Sequence, residues 1–509
     1  MIEPPGGRAD PSRFHSTRDP LAEALRFLEA RSGGRRPSAL VSLAPASDWI
    51  AVAADRLWPG TTIASLQADP RFRGLEQASS ALRWYPDTPS RIRDFLVRTL
   101  EGRLDGGILV VEWRPTLARY PAFAGLAGAE LAEALRFLSA ARNSERFWAR
   151  RWLLNSCRNF LRIEAYSSIT PDSRPLLLAA AGPGLEAALD GLADLAGQIR
   201  VWALASAAEA CVTRGFIPEL AFASDPGTWN LLHFRIPERV PIAAPLHARL
   251  PPSVVEAGRL VPVELGIFHD APFLAALGAD PVRAAPHGTA AGSAASLATA
   301  LGVSSLVVAG VDFAADDLRE HARPYAFDAL DHASEGRIAP AHSKAFMRVA
   351  SGYPTRMDGR WRASRAFEAY AGVGLPCPVA LTLSESPASP ASLPRTTMAN
   401  ARTLLGFPAQ PFSPIRGPYR ASASAGGRER KLREILERLA SDLADGLEGL
   451  PPGRDLPEAL RQGLEAFCGV RASEWLAERA RGTATPALTA ATVACFAVSM
   501  TEILEELLG

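Results

Sequence analysis

The chain has 509 residues, 48% hydrophobic and 21% charged, with a net charge of +1. At roughly 150 residues per domain such a length implies about three units. The even charge balance offers no basic face, so a nucleic-acid partner is not expected.

Residues 1–20 are Pro- and Gly-rich, lack the apolar run of a signal peptide, and are expected to be disordered. Ser38–Ala44, Thr61–Leu66 and Gly107–Trp113 read as short buried strands with helical stretches between and after them, such as 127–142. That alternation predicts a small α/β domain over 21–143. Apolar positions spaced by three and four, with arginines between them, predict an amphipathic helix over 144–163 and a connecting segment over 144–170.

The clearest pattern lies in 171–385. Pro175–Ala181, Val201–Leu204, Glu219–Ala223, Val240–Ala244, Leu260–Phe268 and Ser305–Val311 read as strands. Helices fall between them at Leu185–Ala196, Ser206–Arg214 and 288–302. This spacing predicts a doubly wound, Rossmann-like, mostly parallel sheet. Residues 386–428 are rich in Pro, Ser and Gly and read as a linker, and 429–509 as a helical region. The apolar run 487–499 is shorter than the roughly 18 residues of a membrane span, so a buried terminal helix and no membrane insertion are expected. Cys157, Cys211, Cys377, Cys468 and Cys495 form no CxxC pair. A disulfide scaffold or structural zinc is disfavoured, and a reducing, cytoplasmic setting fits.

Ligands of open α/β sheets sit at the carboxyl ends of strands, and three loops there carry candidate residues. Gly182-Pro183-Gly184 follows a strand and opens a helix. It reads as a phosphate cradle or as a tight strand–helix turn. The next strand ends at Ala205-Ser206, without the acid a dinucleotide site places on its ribose, which argues against NAD. Asp225 ends the third strand, either as a ligand for ribose hydroxyls or a cation, or as the start of a turn before Pro226. The third loop holds Gly292 and Ser293 at a helix start, Asp312 and Phe313 after a buried strand, then His321, Tyr325, His332 and His342. Imidazoles and a phenol beyond a strand tip make this the best acid–base region. Asp316 and Asp317 read as metal ligands or as solvated acids. The histidines lack zinc spacing, and no metal site is expected. Neither GxxxxGK[ST] nor GxSxG occurs.

Taken together, GPG, VWALASAAEACVTRGFIPELAFASDP, GTAAGSAASLATALGVSSLVVAGVDF and WLLNSCRNF resemble the motility-associated factor (Maf) and MptE-like family over roughly residues 60–345. The same core is similar to bacterial CMP-sialic-acid-dependent sialyltransferases. That resemblance implies transfer of a nonulosonic sugar from a CMP-linked donor to a protein such as flagellin, with no cofactor. It assigns Tyr325 to the departing phosphate and His342 to the general base, with Gly182, Gly184, Ser206, Asp225, Gly292, Ser293, Asp312 and Phe313 around the nucleotide. The MptE-like branch implies instead a pterin diphosphokinase using ATP and Mg, with Asp225 and Asp312 converging on the ion. A non-catalytic binding protein of flagellar assembly is the third reading. The chain departs from the family pattern at Ala181, Gly184, Ala205 and Ala314, where polar nucleotide contacts are expected.

Overall fold

The computed structural model describes residues 14–390, 393–406, 414–422, 424–450, 456–481 and 484–508. The chain divides into two compact units, one of residues 1–150 and 440–502, the other of 151–439 and 503–509.

In the first unit α1 (Pro20–Ser32), β1 (Ala39–Leu43), α2 (Trp49–Leu57), β2 (Thr62–Leu66), β3 (Leu82–Trp84), α3 (Ile92–Leu100), β4 (Ile108–Glu112) and the short α4 (Arg114–Leu117) lead into α5 (Pro121–Arg162). The sheet is parallel, in the order β3-β2-β1-β4. Successive residues of a strand point to opposite faces. Ala39, Val41 and Leu43 therefore pack with Leu96 and Phe123, while Leu40 packs with Leu28 and Ile50 on the other side. Part of the stretch expected to be disordered is ordered. Phe14 meets Phe72 at 5.9 Å, His15 stacks on Trp113 at 4.6 Å, and Asp19 caps α1 through the Ala22 amide. Residues 1–13 lie outside the described residues. The helix expected at 144–163 is the second half of α5, a continuous 42-residue helix. Nothing in 140–146, AARNSER, breaks a helix.

The second unit continues from Arg151 in α5 to β5 (Ala165–Ile169), β6 (Leu176–Ala179), α6 (Gly184–Gly191), β7 (Val201–Leu204), α7 (Ala205–Thr213), β8 (Leu220–Phe222), β9 (Ile242–Ala244), α8 (Pro252–Val255), β10 (Leu260–Glu264), α9 (Asp270–Leu277), β11 (Val282–Arg283), α10 (Ala290–Ala300) and β12 (Leu306–Ala309). After these come β13 (Ala315–Asp316), α11 (Ala326–Ala333), α12 (Ala341–Gly352), β14 (Thr355–Arg356), β15 (Trp361–Ala363), α13 (Arg365–Val373), β16 (Ala380–Thr382), α14 (Met398–Leu405) and β17 (Ile415–Arg420). The main sheet has eight strands in the order β11-β10-β9-β8-β7-β6-β12-β16, and every neighbouring pair is parallel. β6, β7 and β12 are buried along their whole length, which is why each reads as an unbroken apolar run. The fold is α/β and doubly wound, as the alternation of elements predicts. The chain winds from β6 outward to β11, then returns to place β12 on the other side of β6.

The stretch read as a linker carries structure. It contains α14, and β17 pairs antiparallel with β5. The register shifts between Arg416 and Tyr419, around Pro418, which has no amide hydrogen to give the ladder. Residues 391–392, 407–413 and 423 lie outside the described residues. The chain ends in α15 (Ala425–Glu448), α16 (Glu458–Cys468), α17 (Val470–Arg481) and α18 (Pro486–Leu508), a helical C-terminal region as expected. The reading of 487–499 as short and buried is corrected. α18 has 23 residues, long and apolar enough by length and composition to cross a membrane, and only 28% of its most apolar window is buried.

Candidate functional site at the strand tips of the larger unit

The direction of winding reverses between β6 and β12, and a parallel sheet opens a crevice there beyond its carboxyl ends. Here the crevice floor is closed by the protein itself. Gly310 has φ of +76°, and a Cβ on it would stand 2.1 Å from the Ala180 carbonyl oxygen, so only glycine lets the two strand ends approach. The Gly182 amide donates to the Gly310 carbonyl at 2.8 Å. Asp312, 1% exposed, accepts the Gly184 amide on Oδ2 at 2.7 Å and the Ser384 hydroxyl on Oδ1, and its own carbonyl accepts from Ser386 at 2.7 Å. Burial pushes the Asp312 carboxyl above its ordinary value, and these hydrogen bonds pull it back.

The phosphate-cradle reading of Gly182 and Gly184 is therefore corrected. The helix amide it would use is occupied by a carboxylate of the same chain. A Cβ at Gly184 would lie 2.8 Å from Asp312 Oδ1, which accounts for glycine at this position. Gly292 is corrected for the same reason. Its amide donates to the α10 cap Thr289 at 2.9 Å, and the close approach it permits is taken by the His287 ring, 1.8 Å from where a Cβ would stand. Ser293 is 3% exposed and donates weakly to the His287 carbonyl at 3.4 Å. Phe313 adopts φ of +46° and turns toward Phe367 and Tyr370, 6.1 and 6.3 Å away, as a packing residue.

What remains open lies around Tyr325, the residue before α11. His321 lies tilted against it at 4.0 Å, His233 stands 5.3 Å away and Phe327 stacks at 5.5 Å. His233 also meets Phe327 at 5.5 Å, and Trp229, 65% exposed, extends the group at 6.0 Å from Phe327. His233 and Trp229 come from a short helical turn after β8 (Thr228–His233), so two strand-tip loops meet here. The Ala322 amide bonds the Ala181 carbonyl at 2.9 Å and ties this loop to the β6 tip. Burial lowers both imidazoles to about 4, leaving them neutral near pH 7. Burial, with the charges of Glu320, Asp328 and Asp225, holds the Tyr325 phenol well above its ordinary value.

His233 was not among the sequence candidates. Its signal was its place eight residues after Asp225, in a turn that the strand pattern did not define. Asp225 is exposed and folds back on the Gly227 amide at 2.7 Å, the turn geometry of its second reading. Its charge still reaches Tyr325. Ser206 is half-buried in the first turn of α7, with no hydrogen bond to its hydroxyl among the described residues. His342 is exposed in the first turn of α12. Its side chain makes no hydrogen bond, ion pair or ring contact, with Tyr325 or any other group, among the described residues. Asp316 pairs with Arg360, and the described residues hold no group of three or more His, Cys, Asp or Glu that could take a metal ion. Magnesium held by Asp225 and Asp312 does not fit, because both oxygens of Asp312 are engaged inside the fold.

The WLLNSCRNF segment is a latch for these loops. Asn155 donates to the carbonyls of Pro226 and His247, both at 3.0 Å, and Asn159 to those of Leu246 and Ala248 at 2.7 and 2.8 Å. Asn159→Ala is expected to lower the stability of this unit by about 2 kcal/mol, because two buried carbonyls lose their donor. Chemical denaturation of the full chain would show it, and an unchanged midpoint would mean the latch carries no load. A groove of about 420 Å³, lined among others by Glu219, Arg239 and Arg259, opens at the opposite, amino ends of β8, β9 and β10. That end of a parallel sheet is not where ligands bind, so the strand-tip cluster is the better candidate.

No family model matches the chain. An uncharacterised protein of Treponema pallidum (strain Nichols) is 28% identical over 285 residues, 55% of this chain and 62% of that protein. The chain thus spans less than two thirds of that relative's length. Among solved structures, a Maf glycosyltransferase from Magnetospirillum magneticum AMB-1 superposes with a TM-score of 0.47 at 10% identity, covering 95% of this chain and 82% of that one.

Proposed function

We propose that the larger unit is a glycosyltransferase that moves a nonulosonic sugar from a CMP-linked donor to a hydroxyl of a protein acceptor such as flagellin, in the cytoplasm and without a metal. The observation that carries this reading is the Tyr325 cluster, a neutral phenol flanked by two neutral imidazoles at the switch point of a parallel sheet. The donor and acceptor classes come from the motif resemblance alone. His321 is bonded to the Ala181 backbone, whereas His233 has no hydrogen-bond partner among the described residues and is free to act.

In the transfer, the bond from the anomeric carbon to the phosphate oxygen breaks and its electron pair leaves with CMP. The Tyr325 hydroxyl donates a hydrogen bond to that phosphate. The acceptor oxygen bonds to the anomeric carbon from the opposite face, and its proton passes to His233. Trp229 and Phe327 offer the apolar face on which a sugar ring stacks. His233→Ala and Tyr325→Phe are each expected to lower kcat for CMP release about a hundredfold, with the fold intact by circular dichroism. A larger loss in His342→Ala than in His233→Ala would return the base role to His342. ATP consumption that requires magnesium and a pterin would replace the transferase with the diphosphokinase.

A further inference from the structure

Arg151, Arg158 and Arg162 are spaced by seven and four. At 3.6 residues per turn they fall within one stripe about 40° wide along α5. The neighbouring stripe carries Asn155 and Asn159, which hold the carbonyls of residues 246–248. The loop after β9 is therefore laid along the arginine stripe, and it brings Arg249 with it. The Arg249 backbone is pinned on both sides, its amide to the Asp225 carbonyl at 2.9 Å and its carbonyl to the Asn230 side chain at 3.0 Å.

The Arg249 side chain is half-buried, and its Nε is fully enclosed with no hydrogen-bond acceptor among the described residues. The charged groups that bear on it are Arg158, Arg162 and Arg151, with no carboxylate among them. Burial and these like charges hold the guanidinium below its ordinary value. Arg158 pairs with Glu506, while Arg162 is exposed and has no ion-pair partner among the described residues. A guanidinium does not shed its proton in proteins, and an enclosed charge without a counter-charge is unfavourable. Arg249 and Arg162 have no counter-charge among the described residues, and the component that would supply one is an oxyanion.

We infer that Arg249, Arg158 and Arg162 form a binding site for a phosphate group, on the flank of the strand tips beside Asp225. Guanidinium forks match phosphate oxygens in pairs, and several converging cations suit a dianion better than a single carboxylate. A soluble phosphate ester and a phospholipid headgroup both present this group. The site goes beyond the reading of the Tyr325 cluster and does not depend on it.

The test is calorimetric titration of the full chain with inorganic phosphate, against sodium chloride at equal ionic strength. Phosphate is expected to bind the wild type, and Arg249→Gln and Arg162→Gln to weaken it at least about tenfold each. Arg162 is on the surface, so its variant reports on the site even where Arg249→Gln fails to fold. His233→Ala, which removes the assigned base and no assigned phosphate contact, is expected to bind phosphate as the wild type does, so loss of transferase activity in that variant is separable from loss of this site. No binding to the wild type, equal binding by Arg162→Gln, or an equal response to chloride would overturn the inference. Competition by CMP would make the source a soluble ester. Phosphate-sensitive sedimentation with phosphatidic acid vesicles, lost in Arg162→Gln, would make it a lipid.

Discussion

Asp312→Ala is expected to lower the unfolding free energy of the larger unit by about 3 kcal/mol or more. The carboxylate is 1% exposed and serves two donors, the Gly184 amide and the Ser384 hydroxyl. Its removal leaves the first turn of α6 with an unmatched amide and opens a void against Gly182, where a Cβ would already lie 2.3 Å from Oδ2. Asp312→Asn is expected to be far milder, about 1 kcal/mol. The amide oxygen can keep the Gly184 bond while the amide nitrogen donates to Ser384, whose hydroxyl also accepts. The raised pKa of the native carboxyl points the same way, since a neutral group suits this site. Denaturant midpoints of the full chain measure both variants. Equal losses in the two would show that Asp312 acts through its charge, and no loss in either would show that the cradle is not what joins β6 to β12.

That site also shows where sequence reading reached and where it stopped. The strands around Gly182 and Asp312 were legible because they are buried on both faces and leave continuous apolar runs, and each loop was correctly seen to follow a strand. The occupant of the cradle was not legible. Asp312 is 128 residues from Gly184 along the chain, and the hydrogen bond between them is set by β12 returning beside β6. A glycine that admits a ligand and a glycine that admits a distant side chain look the same in sequence, as Gly292 and His287 show again. Tyr325 was found because it lies in a dense run of polar residues after a strand tip. His233 was missed because its loop is separate in sequence and joins Tyr325 only through the order of strands. The latch Asn155 and Asn159 was visible as a motif, but its partners are carbonyls, which no sequence pattern marks. The Pro- and Ser-rich composition of 386–428 predicts a linker, yet the stretch carries α14 and a strand, β17, that pairs with β5 from far away in sequence.

Stability of the larger unit is expected to fall as pH drops from 7 to 5, by about 2 kcal/mol for His269 alone. His269 is fully buried, bonds Ser156 Oγ through Nε2 at 3.0 Å, and has no partner for Nδ1 among the described residues. Burial lowers it to about 4, against a weaker upward pull from Asp270. In the unfolded chain the same imidazole titrates near about 6.5. Between these values the unfolded state binds the extra proton, so the stability contributed by neutral His269 is complete above the unfolded pKa and drains away as pH falls toward the folded one. His233 and His321 are lowered to about 4 by the same cause and act in the same direction. Asp312 acts oppositely, because a carboxyl raised on folding favours the fold more at low pH. Its window lies nearer the ordinary carboxyl value and leaves the interval from 7 to 5 mostly to the imidazoles. Denaturant titrations at the two pH values, on wild type and His269→Gln, separate the terms. The variant is expected to be less stable at pH 7 but to lose about 2 kcal/mol less between the two pH values. An identical pH slope in both proteins would mean that His269 is protonated in the fold. Asp270, fully buried 4.0 Å away with neither oxygen hydrogen-bonded among the described residues, would then be its counter-charge.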